Sequence, residues 1–216
     1  MEFIYECDDV FPLDFCNRVI DKFEKSDLKF KGMADCNNIS SVKQSTDLRI
    51  YDEPEWVEEE KYFHVMIQKA MKKYETFLLK MDVDGKVKEE LSLMMMDAHI
   101  HPPQIQKTEP GQYYHWHHDQ AYPPQWKKFT YIIYLNDVEK DSGGTTEFSC
   151  GKSIQPKAGK IVFFPCTWTY FHRGKTLEKG VKYIATNGLM IKPIREITIS
   201  RREKEQRKYP FIISSK

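Results

Sequence analysis

The spacing of hydrophobic positions changes once along the chain, and that change divides it. Between Val10 and Glu24 the apolar residues Phe15, Val19, Ile20 and Phe23 recur at three- to four-residue intervals, the stripe of a core-facing helix. After Pro54 the same spacing returns at Trp56, Phe63, Ile67, Met71, Tyr74 and Leu78 amid charged residues. This predicts a second amphipathic helix, opened by proline and closed by the turn Asp82-Val83-Asp84-Gly85-Lys86. The polar run from Lys29 to Asp47, with Gly32, Asn37 and Asn38, predicts a loop, either a plain connection or a lid. Beyond Leu91 the segments become short, apolar or alternating, and bounded by Gly and Pro. Strands are expected near 93–99, 104–107, 112–117, 129–135, 145–148, 160–164, 169–172 and 183–191. Helices first and many short strands afterwards predict an α+β, mostly β fold, a β-sandwich or jelly roll braced by N-terminal helices. The run Met94-Met95-Met96 fits adaptable core filler.

Length and charge narrow this picture. The 216 residues suit one domain, 1–216, with a helical part to about 90, a jelly-roll core of about 91–191 and a basic tail from about 195. A formal net charge of +1 gives no global field toward nucleic acid or an anionic membrane, so nucleic acid is a disfavoured partner. The acidic start Met1-Glu2-Phe3-Ile4-Tyr5-Glu6 lacks the pattern of a signal peptide, and no apolar run approaches a membrane span. Five scattered cysteines, Cys7, Cys16, Cys36, Cys150 and Cys166, form no Cys-x-x-Cys pair. A reducing, cytoplasmic setting is expected.

The chemistry concentrates in Gly111-Gln112-Tyr113-Tyr114-His115-Trp116-His117-His118-Asp119, which holds three of the seven histidines. If the run is extended, His115, His117 and Asp119 share one face while Trp116 and His118 take the other. A His-x-Asp pair on a strand supplies two of the three ligands of a 2-His-1-carboxylate site for Fe(II). An aromatic surface loop is the competing reading of the same run. One histidine lies downstream, His172 in Thr169-Tyr170-Phe171-His172-Arg173-Gly174, and a two-sheet barrel can bring it beside the pair. Lys182 follows in Gly180-Val181-Lys182-Tyr183-Ile184. A lysine directed into a barrel interior is costly to bury unless it meets an anion, which a dicarboxylic co-substrate would provide.

Other motifs carry less. His64 fits a helix surface, and His99 and His101 lack partners at metal spacing. Asp82 and Asp84 lack the remaining EF-hand ligands, and Gly151-Lys152-Ser153 lacks the upstream glycine of a phosphate loop. The tail contains Arg195 and Arg201 among interspersed glutamates.

Taken in order, Gly111 to Asp119, Tyr134-Leu135-Asn136-Asp137-Val138, Gly143-Gly144-Thr145-Thr146-Glu147-Phe148, Pro156-Lys157-Ala158-Gly159, Phe164-Pro165, His172-Arg173-Gly174 and Lys182-Tyr183-Ile184-Ala185-Thr186 resemble the iron(II)/2-oxoglutarate-dependent dioxygenases of the prolyl 4-hydroxylase-like group. The resemblance covers roughly residues 91 to 191. It implies a double-stranded β-helix (jelly roll), the metal ligands His117, Asp119 and His172, and a pairing of Lys182 with the distal carboxylate of 2-oxoglutarate. Tyr134 matches a position where the family often sets a hydroxyl on that carboxylate, Tyr114 is placed to line the co-substrate pocket, and His115 is a neighbour on the metal-facing side.

The implied reaction uses Fe(II), 2-oxoglutarate and O2, with ascorbate as an accessory. It hydroxylates an unactivated C–H bond of a prolyl or other peptidyl residue, or of a small molecule, and releases succinate and CO2. Two departures stand out: Thr108 where the family often has tyrosine, and Gly188 where it often has tryptophan. Both remove bulk near the expected pocket. The loop from Gln120 to Lys128 is a candidate substrate rim. The rival readings are a nucleic-acid demethylase of the same cofactor class using Arg195 and Arg201, and a non-catalytic cupin-like module binding metal through His115 and His117. The cupin reading lacks its expected glutamate after the second histidine.

Overall fold

A computed structural model describes residues 3–33, 41–51, 53–81, 85, 88, 98–120 and 127–191. The methionine run, the aspartates of the 82–86 turn, residues 121–126 of the rim loop and the arginines of the tail lie outside them. Both expected helices form. Helix α1 spans Leu13–Lys25, with Asp14 in its first turn and Lys22 and Lys25 in its last, charges that complement the helix dipole. Helix α2 spans Val57–Leu79 behind a short 3-10 turn, Pro54–Trp56, and carries Glu58, Glu59 and Glu60 in its first turn. Phe15, Val19 and Phe23 of α1 and Phe63, Ile67, Tyr74 and Leu78 of α2 are buried, as their spacing predicts.

Strands then build two antiparallel sheets. They are β1 (Tyr5–Cys7), β2 (Phe30–Lys31), β3 (Thr46–Arg49), β4 (Ala98–Ile100), β5 (Gln104–Thr108), β6 (Tyr114–His117), β7 (Lys127–Tyr134), β8 (Thr146–Phe148), β9 (Ser153–Ile154), β10 (Ile161–Pro165), β11 (His172–Gly174) and β12 (Lys182–Ile191). The major sheet runs β1-β10-β7-β12-β5-β3-β2 with β4 also on β12, and the minor sheet runs β6-β11-β8-β9. This is a jelly-roll-like double-stranded β-helix with α1 and α2 against it.

The period-two alternation of β7 explains how the layers stack. Tyr131 and Ile133 join the cluster beneath the helices, where Tyr74 lies flat on Phe163 with centroids 5.2 Å apart. Ile132 and Tyr134 point the other way, into a second cluster with Phe148, Val162 and Phe164 between the sheets. A strand buried on both faces is therefore nearly all apolar. Thr130 is the polar exception at an inward position, fully buried.

Two expectations shift. The Lys29–Asp47 stretch is not simply a loop, because β2 and the start of β3 extend the major sheet there through pairs such as Phe30 with Asp47. Residues 168–170 form a 3-10 turn, so His172 opens its strand rather than closing one. The short strands β1 and β9 also form at positions whose composition carries little strand signal.

Candidate metal and co-substrate site

The opening run is extended only as far as His117, and it is not regular. His172 of β11 pairs with His117 of β6, yet Gly174 pairs with Tyr114, so three steps on β6 face two on β11. This is a β-bulge, and an inserted residue re-aims the side chains beside it. Tyr114 and His117 consequently share a face, their rings stacked at 3.5 Å and 12°. His115 is instead exposed and packs on Tyr113. The expected placement of the His115 side chain on the metal-facing side is thus corrected. Its contribution is a backbone one: the His115 carbonyl lies 2.7 Å from His117 Nδ1.

His172 is held in the same way, with Nδ1 3.1 Å from the Tyr170 carbonyl. A carbonyl acceptor at Nδ1 fixes the tautomer that leaves Nε2 as a lone-pair donor. Both Nε2 atoms face Asp119, His117 at 3.4 Å from Oδ1 and His172 at 3.9 Å from Oδ2. One ligand atom from each of His117, Asp119 and His172 falls within 4.8 Å of the others. Two imidazole nitrogens and a carboxylate oxygen at this separation fit a divalent iron ion with coordination positions left open.

Electrostatics prepare the same donor set. Burial alone would raise the Asp119 carboxyl, but Lys127, His172 and His117 hold it well below the usual carboxylate range. Thr130 donates to Asp119 Oδ2 at 2.6 Å and Lys127 lies 3.3 Å from the same oxygen. His172 sits against Phe148 and Phe164, and burial lowers its pKa to about 4 despite the attraction of Asp119. The imidazole is therefore neutral at physiological pH, the form that binds metal.

A cavity of about 250 Å³ opens beside these three residues and is also lined by Tyr114, Thr146, Lys182 and Ile184. Lys182 is 4% exposed, and its ammonium donates to the Gly144 carbonyl at 2.8 Å. Burial pulls its pKa down to about 8. A charged nitrogen held in a cavity by a neutral acceptor is a ready receptor for an anion. Tyr134 is placed differently from Tyr114. It is fully buried, and its hydroxyl donates at 2.7 Å to Thr146 Oγ1, so Thr146 stands between it and the cavity.

The two departures from the family pattern resolve as follows. Thr108 pairs in register with Lys182 and lines the cavity. The space over Gly188 is filled by the stem of Lys127, whose Cε would lie 2.4 Å from a Cβ there. Sequence reasoning missed Thr130, gave no individual role to Thr146 within its family block or to Lys127 within the rim loop, and missed a buried group in which Asp47 accepts from Lys43, Ser45 and Gln104 at 2.6, 2.7 and 2.6 Å. The available signal was Thr130 as a lone polar residue on the inward parity of an apolar strand. His64 and His118 are exposed, and His101 bonds Asn187, so none of these joins the metal group.

Residues 103–188 match the sequence model of the 2OG-Fe(II) oxygenase superfamily. No curated protein matches the chain. Solved structures do: a viral collagen prolyl hydroxylase from Paramecium Bursaria Chlorella virus-1, in complex with 2OG, is 20% identical with a TM-score of 0.63 and covers 88% of this chain and 96% of its own. A prolyl hydroxylase from Trichoplax adhaerens, in complex with a peptide fragment of the hypoxia inducible factor oxygen degradation domain, is 14% identical with a TM-score of 0.68, covering 88% and 84%. A prolyl-4-hydroxylase from Pseudomonas putida is 15% identical with a TM-score of 0.60, covering 88% and 93%.

Proposed function

We propose that this chain, a 2-oxoglutarate/Fe(II)-dependent dioxygenase with the fold of the prolyl 4-hydroxylases, hydroxylates a peptidyl residue, proline first among the alternatives. The observation that carries the site assignment is the convergence of His117, Asp119 and His172 at one end of a cavity whose other wall holds the buried Lys182. In this reading those three residues hold Fe(II), and Lys182 pairs with the distal carboxylate of 2-oxoglutarate. Bound there, iron, co-substrate and O2 supply the oxidising power to hydroxylate an unactivated C–H bond, with loss of succinate and CO2.

The protein's own residues bind, orient and exclude water. The carbonyls of His115 and Tyr170 aim the two imidazoles, and Thr130 with Lys127 holds Asp119. Phe148 and Phe164 keep the His172 side of the site dry. Tyr114 covers His117 and fits the role of a co-substrate pocket wall. Tyr134 acts through Thr146, whose hydroxyl it orients toward the cavity. No protein acid, base or nucleophile is required for the hydrogen-removal step.

A peptide substrate is supported by the Trichoplax relative with its bound peptide, with a small molecule as the alternative. Ascorbate is proposed as an accessory reductant. We read residues 1–216 as one domain. The free thiols of Cys7, Cys16, Cys150 and Cys166 support a cytoplasmic setting, and no described helix is long and apolar enough to cross a membrane. The nucleic-acid alternative rests on Arg195 and Arg201, which lie outside the described residues. The cupin-like alternative needs His115 as a ligand, and its side chain is exposed away from His117.

The test is anaerobic addition of Fe(II) and 2-oxoglutarate with observation of the visible charge-transfer band, then oxygen and a succinate assay. Both signals are expected for the wild type and for His118→Ala, and neither for His172→Ala. Absence of both from the wild type would sink the dioxygenase reading.

A further inference from the structure

The inward residues of β12 divide the cavity into two ends. Lys182, Ile184, Thr186 and Gly188 follow one another along one face of that strand, a span of about 20 Å at roughly 3.3 Å per residue. Lys182 marks one end and serves the co-substrate in the reading above. Thr186 is the last of them on the cavity wall, and just beyond it, over Gly188, a second lysine enters.

Lys127 reaches that end because position 188 carries no side chain. A Cβ at Gly188 would fall 2.4 Å from Lys127 Cε and 2.7 Å from its Cγ. The stem of the lysine therefore lies where a larger residue would stand, and its ammonium arrives 3.3 Å from Asp119 Oδ2. The side chain is only 13% exposed. Such a charge is costly to bury unless an anion answers it. Asp119 answers it only in part once the site is loaded, because a bound divalent cation draws on the same carboxylate and adds positive charge close by.

The other charges of the cavity do not cancel this excess. Among the described residues its lining contains Lys43, Lys127, Lys175 and Lys182 against the carboxylate of Asp119. Lys43 is joined to the buried Asp47 at 2.6 Å, and Lys182 is taken by the co-substrate. Lys127, which shares its one carboxylate with the metal, and the exposed Lys175 complete the cationic lining of the cavity.

We propose that Lys127, seated over Gly188, binds a carboxylate of the substrate, so that the enzyme acts on an acidic substrate held beside the metal. This rests on the oxygenase reading above and names the substrate chemistry of that same site. The carboxylate comes either from an Asp or Glu side chain near the target residue of a peptide or from the free α-carboxylate of an amino acid.

The experiment measures how far added compounds stimulate succinate formation above the substrate-free rate. Two end-blocked degenerate peptide libraries are compared, identical except that Asp and Glu in one are Asn and Gln in the other. A mixture of free amino acids is compared with the corresponding carboxamides. Calorimetry on protein loaded with Mn(II) and 2-oxoglutarate under argon gives the binding of the same four mixtures without turnover.

The expected result is that one acidic member exceeds its amide counterpart by about tenfold or more in both measurements, the scale of an unanswered buried charge. Which pair shows the preference identifies the source of the carboxylate. In the calorimetry on Mn(II)-loaded protein, Lys127→Met is expected to bind the acidic and amide members equally and Lys127→Arg to keep the preference. Equal response to acid and amide in the wild type overturns the proposal whatever the variants do. So does a preference that survives in Lys127→Met, or no response to any mixture while substrate-free succinate formation is intact. Absence of substrate-free succinate formation together with the missing charge-transfer band sinks the oxygenase reading itself, and this inference with it.

Discussion

Two side chains outside the ligand set decide how ready the site is. Thr130 contributes a hydroxyl at 2.6 Å to Asp119 Oδ2 from the interior of β7. Thr130→Val keeps the shape and removes the donor, so iron affinity is expected to fall about 10- to 100-fold with little change in fold, measured by anaerobic Fe(II) titration. Lys182 costs the protein stability before any anion arrives. Its pKa is lowered from 10.5 to about 8 by burial. Below pH 8 the folded and unfolded chains both carry the charge and the full penalty applies, roughly 3 kcal/mol. Between pH 8 and 10.5 the folded state gives up the proton while the unfolded chain keeps it, so stability from this group rises with pH. In Lys182→Met that rise is expected to vanish and the metal-free protein to melt higher below pH 8, while KM for 2-oxoglutarate rises about 100-fold. Denaturant unfolding across pH and steady-state kinetics read the two effects separately.

At the scale of elements, the bulge in β6 sets which histidine faces inward. Three steps along β6 span two along β11 between the pairs His117 with His172 and Tyr114 with Gly174. Regular alternation would put His115 beside His117, whereas the bulge puts Tyr114 there. His115→Ala is accordingly expected to retain Fe(II) binding within about threefold, because its useful atom is the backbone carbonyl. His117→Ala is expected to lose Fe(II) binding, and equal loss in the two variants would mean that the bulge is absent in solution. The pair of Gly188 on β12 and Lys127 on β7 is a second feature of this scale, since the strands are neighbours in the major sheet.

For the molecule as a whole, helices α1 and α2 and the candidate metal site lie on opposite faces of one sheet. Phe63 of α2 is fully buried against Phe11 and Phe15, while Ile132 and Tyr134 of β7 face the other way. Phe63→Ala is expected to cost about 3 to 5 kcal/mol of stability by leaving a cavity. Fe(II) affinity of the remaining folded protein should change little, because the sheet separates the two clusters. Urea unfolding and metal titration on the same preparation check this, and a parallel collapse of both would show that the helices hold the site directly.

What the chain determines on its own is whatever depends on short-range period and residue type. The stripes Phe15-Val19-Phe23 and Phe63-Ile67-Tyr74 are helical at any distance from the rest of the protein, and the change to short apolar runs after residue 91 marks the sheets. The ordered blocks from Gly111 to Thr186 also carried the family resemblance, and His117, Asp119, His172 and Lys182 could be named from it. Tertiary structure decided what depends on pairing between distant strands. A bulge is visible only when β6 is laid against β11, so the exposure of His115 was not legible in the run itself. The same holds for Thr130 beneath Asp119, for Thr146 between Tyr134 and the cavity, and for Lys127 in the space that Gly188 leaves, since each contact joins residues whose closeness no local period encodes.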